Sequence, residues 1–252
     1  MQNPIKTSLE ETNLSRATIE AMWAIYEPFY NYSKEDFTAR ITRNTHFAIY
    51  RQGGKIVGFT GIRIEKANLQ GMNYLLIYFG QAVITPQVRG TGLINITAFM
   101  ILRKYWQCLF NHQLIFWADA LSFRSYLIFA KNLKEFYPNA KAAMPDQYLK
   151  LQQFIGRKYY PERFCAQSGT IHKEQNLVRD QSAQITEEHL LDADIAFFNK
   201  VNGHHRDGAG LLTLAPVHAF NVLFMIRKRI IKALSKRAPA SAAILTRRLR
   251  TN

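Results

Sequence analysis

The sequence has very little cysteine, no long apolar run and no acidic residue in its last fifth. Its two cysteines, Cys108 and Cys165, give neither a disulfide framework nor the spacing of a zinc site, so reduced thiols are expected. The most continuous apolar runs, such as "LINITAF" and "VLFMI", fall short of the roughly 20 residues of a membrane-spanning helix. The polar amino-terminal stretch shows no secretory signal pattern. We therefore expect a soluble protein of the cytoplasm.

Positive charge is concentrated near the carboxyl end. Across the chain 33 Lys and Arg face 18 Asp and Glu, a net charge of +15, and nine of these cations lie in residues 208–252, which contain no acid. The nine are Arg227, Lys228, Arg229, Lys232, Lys236, Arg237, Arg247, Arg248 and Arg250. Such asymmetry indicates a polyanionic neighbour, namely phosphate head groups, nucleic acid or an acidic carrier protein.

Part of this basic segment is amphipathic at helical spacing. Leu223, Ile226, Ile230 and Leu234 share one face of the expected helix, with Lys228, Arg229, Lys232 and Lys236 opposite. The helix could pack on the core with a solvated basic face. Alternatively, it could bind an anionic membrane surface, making the protein membrane-peripheral, or an acidic acyl carrier protein. Nucleic acid is the less favoured partner.

Periodicity along the first 145 residues predicts an α/β fold. Ser15 should open a helix through "SRATIEAMWAIYEPFYNY", and a hairpin of two strands should turn at Gly53 and Gly54. A longer strand, "MNYLLIYFGQAVIT", contains Gly80, where a bulge is expected. Then follow a helix in "LINITAFMILRKYWQCLF", a buried strand in "HQLIFWADA" and a helix in "SFRSYLIFAKNLKEF".

The remaining residues predict a largely helical extension. We expect helices in "DQYLKLQQFIGRKYY", in "TEEHLLDADIAFFNKVN" with Thr186 as a cap, and in the long basic stretch with Pro216 in its first turn. "FCAQSGTIHKE" could be a strand or a loop, and residues 238–252 a frayed tail. We therefore predict a domain at residues 1–145, followed by a carboxyl-terminal extension at residues 146–252. The loop "GHHRDGAG" lacks a third ligand at a recognisable spacing, so no metal is expected.

The turn "TPQVRGTGLI" follows the long strand and precedes an apolar helix. Gly90 and Gly92 allow a sharp turn and a close approach of a ligand to the backbone. The first amides of a helix lack intrahelical partners and lie at the positive end of its dipole, which favours a bound phosphate, and Arg89 adds a cation. Neither the Walker pattern nor the dinucleotide pattern of glycines is present.

The spacing of Gln87, Gly90 and Gly92, Q-x-x-G-x-G after an apolar strand, resembles the pyrophosphate-binding signature of the Gcn5-related N-acetyltransferase (GNAT) superfamily. The resemblance extends from about Ile19 to Tyr137. It implies a mixed, mostly antiparallel central sheet flanked by helices, and an N-acyltransferase that uses acetyl-CoA or a longer acyl-CoA. The acceptor would be an amine on a small molecule or peptide.

The resemblance also assigns residues to the donor. The amides of Val88, Arg89, Gly90, Thr91 and Gly92 would hold the pyrophosphate, and the strand edge at Ala82, Val83, Ile84 and Thr85 would pair with the pantetheine arm. An amide near Gln81 would stabilise the oxyanion as the amine attacks the thioester directly, in a gap where "GQAVIT" and "LIFWAD" splay apart.

The catalytic groups of the superfamily are less clearly present. The long strand lacks a carboxylate for the general base, so Glu65 and Asp119 at the ends of the neighbouring strands, with His46 third, are the candidates. The tyrosine that commonly protonates the leaving thiolate aligns with Phe129, and Tyr126 lies one turn earlier. Their absence leaves open a second function, an acyl-CoA sensor without catalysis. An N-acyl amino acid synthase that uses acyl carrier protein is a third.

Overall fold

A computed structural model describes residues 3–173 and 177–237. The strands are β1 (Ile5–Glu11), β2 (His46–Gln52), β3 (Lys55–Leu69), β4 (Met72–Ile84), β5 (Gln113–Ala120), β6 (Phe164–Cys165), β7 (Thr170–Ile171) and β8 (Gly210–Pro216). The α-helices are α1 (Arg16–Tyr26), α2 (Lys34–Ile41), α3 (Leu93–Lys104), α4 (Phe123–Asn132), α5 (Asp146–Tyr159), α6 (Ala193–Val201) and α7 (Ala219–Arg237). The predicted tail, 238–252, lies outside the described residues.

One mixed sheet organises the chain, in the order β1-β2-β3-β4-β5-β8-β7-β6. The β4–β5 pair is parallel, because the two strands are joined by a crossover through α3, and the other pairs are antiparallel. The predicted fold class, a mixed and mostly antiparallel sheet flanked by helices, is confirmed. β8 comes from beyond residue 145 and belongs to the same sheet. The division of the chain at residue 145 stays a prediction.

Alternating side chains send the apolar residues of the strands to both faces of the sheet. On one face, Ala48 and Ile62 join residues of α3, α4, α6 and α7 in a core. On the other face Phe47 and Phe59 pack on α1 and α2, and further along the sheet Trp117 packs on α5. The sheet is therefore packed between two layers of helices.

Several boundaries differ from the sequence prediction. The first helix ends at Tyr26, and a second helix, α2, follows with Ser33 as its N-cap. The expected helix at 186–202 is a 3₁₀ turn followed by α6, which is capped by Asp192 and not by Thr186 because the Asp192 carboxylate accepts from the amide of Asp194. β1 was not predicted.

The carboxyl-terminal prediction missed a strand. Pro216 ends β8 and does not begin a helix, which fits the preference of proline for strand ends. Helix α4 ends at Asn132, before the expected Phe136, because the chain turns extended at Leu133 and the amides of residues 134 and 135 donate to Asn221 Oδ1. β8 is buried throughout, so the apolar run "LLTLA" reads as a central strand.

Candidate active site

β4 and β5 pair only over their first halves. The parallel ladder runs from Tyr74 with Gln113 to Tyr78 with Trp117 and then stops, while β4 continues along β3 to Ile84. A cavity of about 370 Å³, the donor cavity, lies in the opening, lined by β4 from residue 78 to 84 and by α3 and α4. The predicted gap between "GQAVIT" and "LIFWAD" is confirmed.

The predicted bulge lies in β4 at the start of this opening. Phe59 pairs with Val83 and Gly61 with Gly80, so β4 carries one extra residue here. Gln81 takes a φ of 44° within the bulge, a left-handed conformation that costs a non-glycine residue of order 1–3 kcal/mol. The buried side-chain amide of Gln81 is held by two hydrogen bonds. Its Oε1 accepts from Asn44 Nδ2 at 2.9 Å, and its Nε2 donates to the Phe37 carbonyl at 2.9 Å.

The turn into α3 has the geometry that its glycines predict. Gly90 and Gly92 have φ values of 73° and 87°, and Gly92 is the N-cap of α3. The amides of Val88 and Arg89, however, donate to the carbonyls of Thr85 and Pro86 within a 3₁₀ turn. An anion at this turn would therefore be met by the backbone amides in the first turn of α3, and not by those of Val88 and Arg89.

Arg89 was predicted to place a positive charge beside a bound phosphate, but in the structure its side chain contacts other groups of the protein. Its guanidinium forms an ion pair with Asp180 at 2.9 Å, and its Nε donates to the Ile84 carbonyl at 2.9 Å. Burial raises the pKa of Asp180, but the Ser182 hydroxyl and Arg89 outweigh this effect and lower the pKa. The segment that carries Asp180 also bridges to Tyr30 through Val178, and both residues line the donor cavity.

The strand edge predicted for pantetheine is partly occupied. The carbonyl of Ala82 accepts from the Tyr30 hydroxyl at 2.8 Å, and the amide of Thr85 donates to the Val57 carbonyl at 3.0 Å. Val83 and Ile84 pair with β3 on their other edge. Displacing the Tyr30 hydroxyl would free the Ala82 carbonyl for a pantetheine amide.

A second cavity, of about 550 Å³, lies on the α1, α2 and α5 face of the sheet. We call it the acceptor cavity. It is lined by α2, by the end of α5 and by residues 160–163, with Lys173 at one wall. The residues that line both cavities are Arg40, Tyr78, Gln81 and Asp119. The two cavities therefore meet at the bulge.

Asp119 is the predicted candidate that lies at this junction. Its carboxylate accepts from the Tyr78 hydroxyl at 2.6 Å and pairs with Lys173 Nζ at 3.0 Å. Burial alone would raise the pKa of Asp119, but the Lys173 ammonium and the Tyr78 hydrogen bond outweigh it and hold the pKa below its ordinary value. Burial, and then the charge of Asp119, raise the pKa of Tyr78, which stays neutral.

The other candidates lie elsewhere. Glu65 accepts from Lys158 and Tyr159 and lines neither cavity. His46 contacts Thr45 and Lys104.

Tyr126 is buried among aromatic side chains, and its hydroxyl donates to the Pro138 carbonyl at 3.1 Å, so it too lies outside both linings. Phe129, which the resemblance aligns with the tyrosine of the superfamily, does line the donor cavity.

Two contributors were missed from the sequence. Tyr78 lies mid-strand among apolar neighbours, where it resembles a packing residue, and Lys173 reaches Asp119 across 54 positions. The alternating pattern contained one signal for this site, because Arg63 interrupts an otherwise apolar strand. Arg63 pairs with Tyr78 across β3 and β4, so the two side chains lie on the same face of the sheet.

No group of three or more His, Cys, Asp or Glu side chains in the described residues is placed to hold a metal ion. In the "GHHRDGAG" loop, His204 contacts Asp207 while His205 contacts Asn199 instead. None of the helices described for this chain combines the length and the apolar character needed to cross a membrane.

Solved structures similar to this chain include several acyltransferases. An aminoglycoside acetyltransferase from an uncultured soil metagenomic sample matches with a TM-score of 0.39 and 13% identity, over 56% of this chain and 93% of its own. An acetyltransferase of Trypanosoma brucei matches with a TM-score of 0.38 and 14% identity, over 56% and 100%. An acyl-CoA N-acyltransferase of Pseudomonas aeruginosa matches with a TM-score of 0.35 and 12% identity, over 46% and 80%.

No family model matches the chain, and no curated protein matches its sequence.

Proposed function

We propose that the protein is an N-acyltransferase that moves an acyl group from acyl-CoA to an amine. The observation that carries the proposal is the meeting of two cavities at the open end of β4 and β5. One cavity adjoins the glycine turn and the start of α3, and the other is lined by polar side chains from α2 and α5. A thioester and an amine could approach one another only at their junction, beside Tyr78 and Asp119.

The donor would be acetyl-CoA or a longer acyl-CoA. Its pyrophosphate would lie at the turn around Gly90 and Gly92, where the first amides of α3 favour an anion. Apolar side chains of α3 and α4, including Ile94, Ile128 and Phe129, line the adjoining cavity and leave room for an acyl chain. Binding would require the Tyr30 hydroxyl to leave the Ala82 carbonyl.

The transfer is direct, in a ternary complex. The amine nitrogen attacks the thioester carbonyl, a C–N bond forms and the C–S bond breaks, with the electron pair leaving on sulfur. The backbone of the bulge at Gln81 stabilises the oxyanion. Asp119 positions the attacking nitrogen and takes up its proton, which passes to solvent, and the thiolate is protonated by water. Because its pKa is low, Asp119 acts chiefly by holding the amine in place.

Thiol release tests the proposal. The protein is incubated with acetyl-CoA or longer acyl-CoAs and an amine mixture, and free thiol is followed. We expect Asp119→Asn to lower the rate about 10²-fold or more, typical of a positioned acid–base group. Glu65→Gln is the matched control, because each change removes a carboxylate bound by one Lys and one Tyr, but Glu65 lines neither cavity. Equal losses in both variants would contradict the assignment.

A second candidate function, an acyl-CoA sensor, is favoured by Phe129, which leaves that position in the donor cavity without the hydroxyl found in the superfamily. A sensor would be stabilised thermally by acyl-CoA without releasing thiol with any amine. An N-acyl amino acid synthase would release carrier thiol only with acyl carrier protein. Stabilisation by CoA together with thiol release would exclude the sensor.

The carboxyl-terminal helix bears on where the protein acts. The predicted apolar face is exposed and not packed on the core: Leu223 is 61% and Ile230 53% exposed, while Asn221 and Met225 face inward. The side chains of Lys232, Leu234 and Lys236 lie outside the described residues. We propose that this face lies on an anionic membrane surface of the cytoplasm, with Lys134 and Arg227 beside it.

Sedimentation with vesicles tests the membrane proposal. Vesicles of neutral lipid and of neutral plus anionic lipid are compared with the intact protein and with Leu223→Ser/Ile230→Ser. We expect binding to the anionic vesicles only, and its loss in the variant. The proposal would be overturned if the wild-type protein bound neither vesicle type. It would also be overturned if the wild-type protein formed dimers and the variant did not.

A further inference from the structure

The acceptor cavity carries more positive than negative charge. The cations that line it are Arg40, Arg43, Arg63, Arg163 and Lys173, and the acids are Asp36, Asp119 and Glu162. Lys173 is neutralised by Asp119. No described carboxylate forms an ion pair with Arg40, Arg43 or Arg63. These three guanidinium groups therefore form no direct ion pair with a described carboxylate, although the charge of Asp119 acts on Arg40 and that of Glu65 on Arg63 at longer range.

Arg63 is the most constrained of the three. Its guanidinium stacks on the ring of Tyr159 at 3.9 Å and lies 4.9 Å from the ring of Tyr78 and 5.5 Å from that of Trp117. Its Nε is buried and has no hydrogen-bond partner among the described residues. Aromatic packing thus fixes the orientation of the guanidinium, while its Nε–H has no acceptor in the described part of the chain. An arginine that is oriented in this way and not fully hydrogen-bonded is suited to bind an anion.

Arg63 is also close to the reaction junction. It pairs with Tyr78 across β3 and β4, and the Tyr78 hydroxyl donates to Asp119. The Tyr78 side chain therefore contacts both residues, Arg63 through its ring and Asp119 through its hydroxyl. Arg40, half-buried with its guanidinium 4.5 Å from the ring of Tyr32, and Arg43, exposed at the rim, extend the positive wall.

We propose that the acceptor cavity binds an amine whose other end carries an anionic group, a carboxylate or a phosphate, with Arg63 as the ion-pair partner of that group. This inference rests on the proposed acyl transfer. A guanidinium binds either oxyanion through paired hydrogen bonds, so the shared chemistry is a planar or tetrahedral oxyanion. A polycationic amine would be repelled by the three arginines.

Matched pairs of amines test the acceptor class. With acetyl-CoA as donor, L-amino acids are compared with their carboxamides, O-phosphoethanolamine with ethanolamine, and spermidine serves as the polycation. We expect kcat/KM for one anionic series to exceed that of its neutral partners by about tenfold or more, as charged hydrogen bonds allow. The series that is preferred identifies carboxylate or phosphate. Spermidine or the neutral amines equalling the anionic ones would overturn the proposal.

Variants assign the effect to Arg63. Arg63→Gln should raise KM for the anionic amines about tenfold or more and leave the neutral amines little changed, and Arg63→Lys should restore part of the loss. Arg103→Gln, which removes an exposed cation of α3 that lines neither cavity, is the control for net charge. Equal losses for anionic and neutral amines in Arg63→Gln would contradict the assignment.

Direct binding separates this inference from the proposed function. Calorimetric titration of the same amines into the protein without acetyl-CoA needs no turnover. If no amine releases thiol, the acyltransferase proposal fails, and the inference is judged on binding alone. Anionic amines binding about tenfold tighter than their neutral partners would support it, and equal affinities would refute it. If Arg63→Gln does not fold, the wild-type comparison still decides.

Discussion

Replacing Lys173 by Met should destabilise the fold through a buried carboxylate. Lys173 and Asp119 have side chains only 11% and 9% exposed, with Nζ and Oδ2 3.0 Å apart. Removing one partner of a buried ion pair costs about 3–5 kcal/mol, because the other charge stays buried. The Tyr78 hydroxyl still donates to Asp119, so we expect the lower end, about 3 kcal/mol. The melting temperature should fall by roughly 6–12 °C.

The loss should depend on pH in a defined direction. In the wild type the lowered pKa of Asp119 stabilises the fold above the unfolded pKa of about 3.9, and this stabilisation is lost as the pH falls through the lower folded pKa. Without the ammonium of Lys173, burial is opposed only by the Tyr78 hydrogen bond and the charge of Arg40, so we expect the pKa of Asp119 to rise above its unfolded value and its protonation in the fold to become easier. The difference in unfolding free energy between wild type and Lys173→Met should therefore shrink between pH 7 and pH 4.

Urea denaturation at both pH values measures these free energies, with the double variant Asp119→Asn/Lys173→Met as the control. The double variant should recover part of the stability, because no charge is left buried. A single variant within about 0.5 kcal/mol of wild type at pH 7, the range of a surface substitution, would refute the reasoning. So would a double variant that is less stable than the single one.

Four further substitutions can be checked by denaturation and by calorimetric titration of CoA. Gly80→Ala would place a methyl group on the ring of Tyr78, so we expect the Tyr78 hydrogen bond to be lost, about 1.5–3 kcal/mol, and unchanged stability would count against the packing described. Gly90→Ala and Gly54→Ala should each cost about 1–2 kcal/mol, since both glycines have positive φ and open space around them, but only Gly90→Ala should weaken CoA binding. Asn221→Ala should cost about 3 kcal/mol, because it removes four hydrogen bonds made by a buried side chain, and a loss under about 1 kcal/mol would contradict this role.

Local features of this chain were predictable because neighbouring residues decide them. The hairpin at Gly53 and Gly54, the bulge near Gly80 and the glycine turn before α3 each follow from backbone freedom within a few residues. The α/β arrangement followed from the order of periodic segments, and the mixed, mostly antiparallel sheet was implied by the resemblance of the glycine turn. Asp119 could be named as a candidate because it ends a buried strand beside the expected gap.

What the sequence could not supply was the set of long-range partners. The apolar run of β8 gives no sign of which strand it will join, and its pairing with β5 is decided by the packing of the whole sheet. The same packing brings Lys173 to Asp119 and Asp180 to Arg89, across 54 and 91 positions of the chain. Charges so far apart in sequence acquire their pKa values and roles only when the fold buries them together. The glycine turn could therefore be predicted from the local sequence. The acceptor cavity and the placement of its arginines were determined by the tertiary structure.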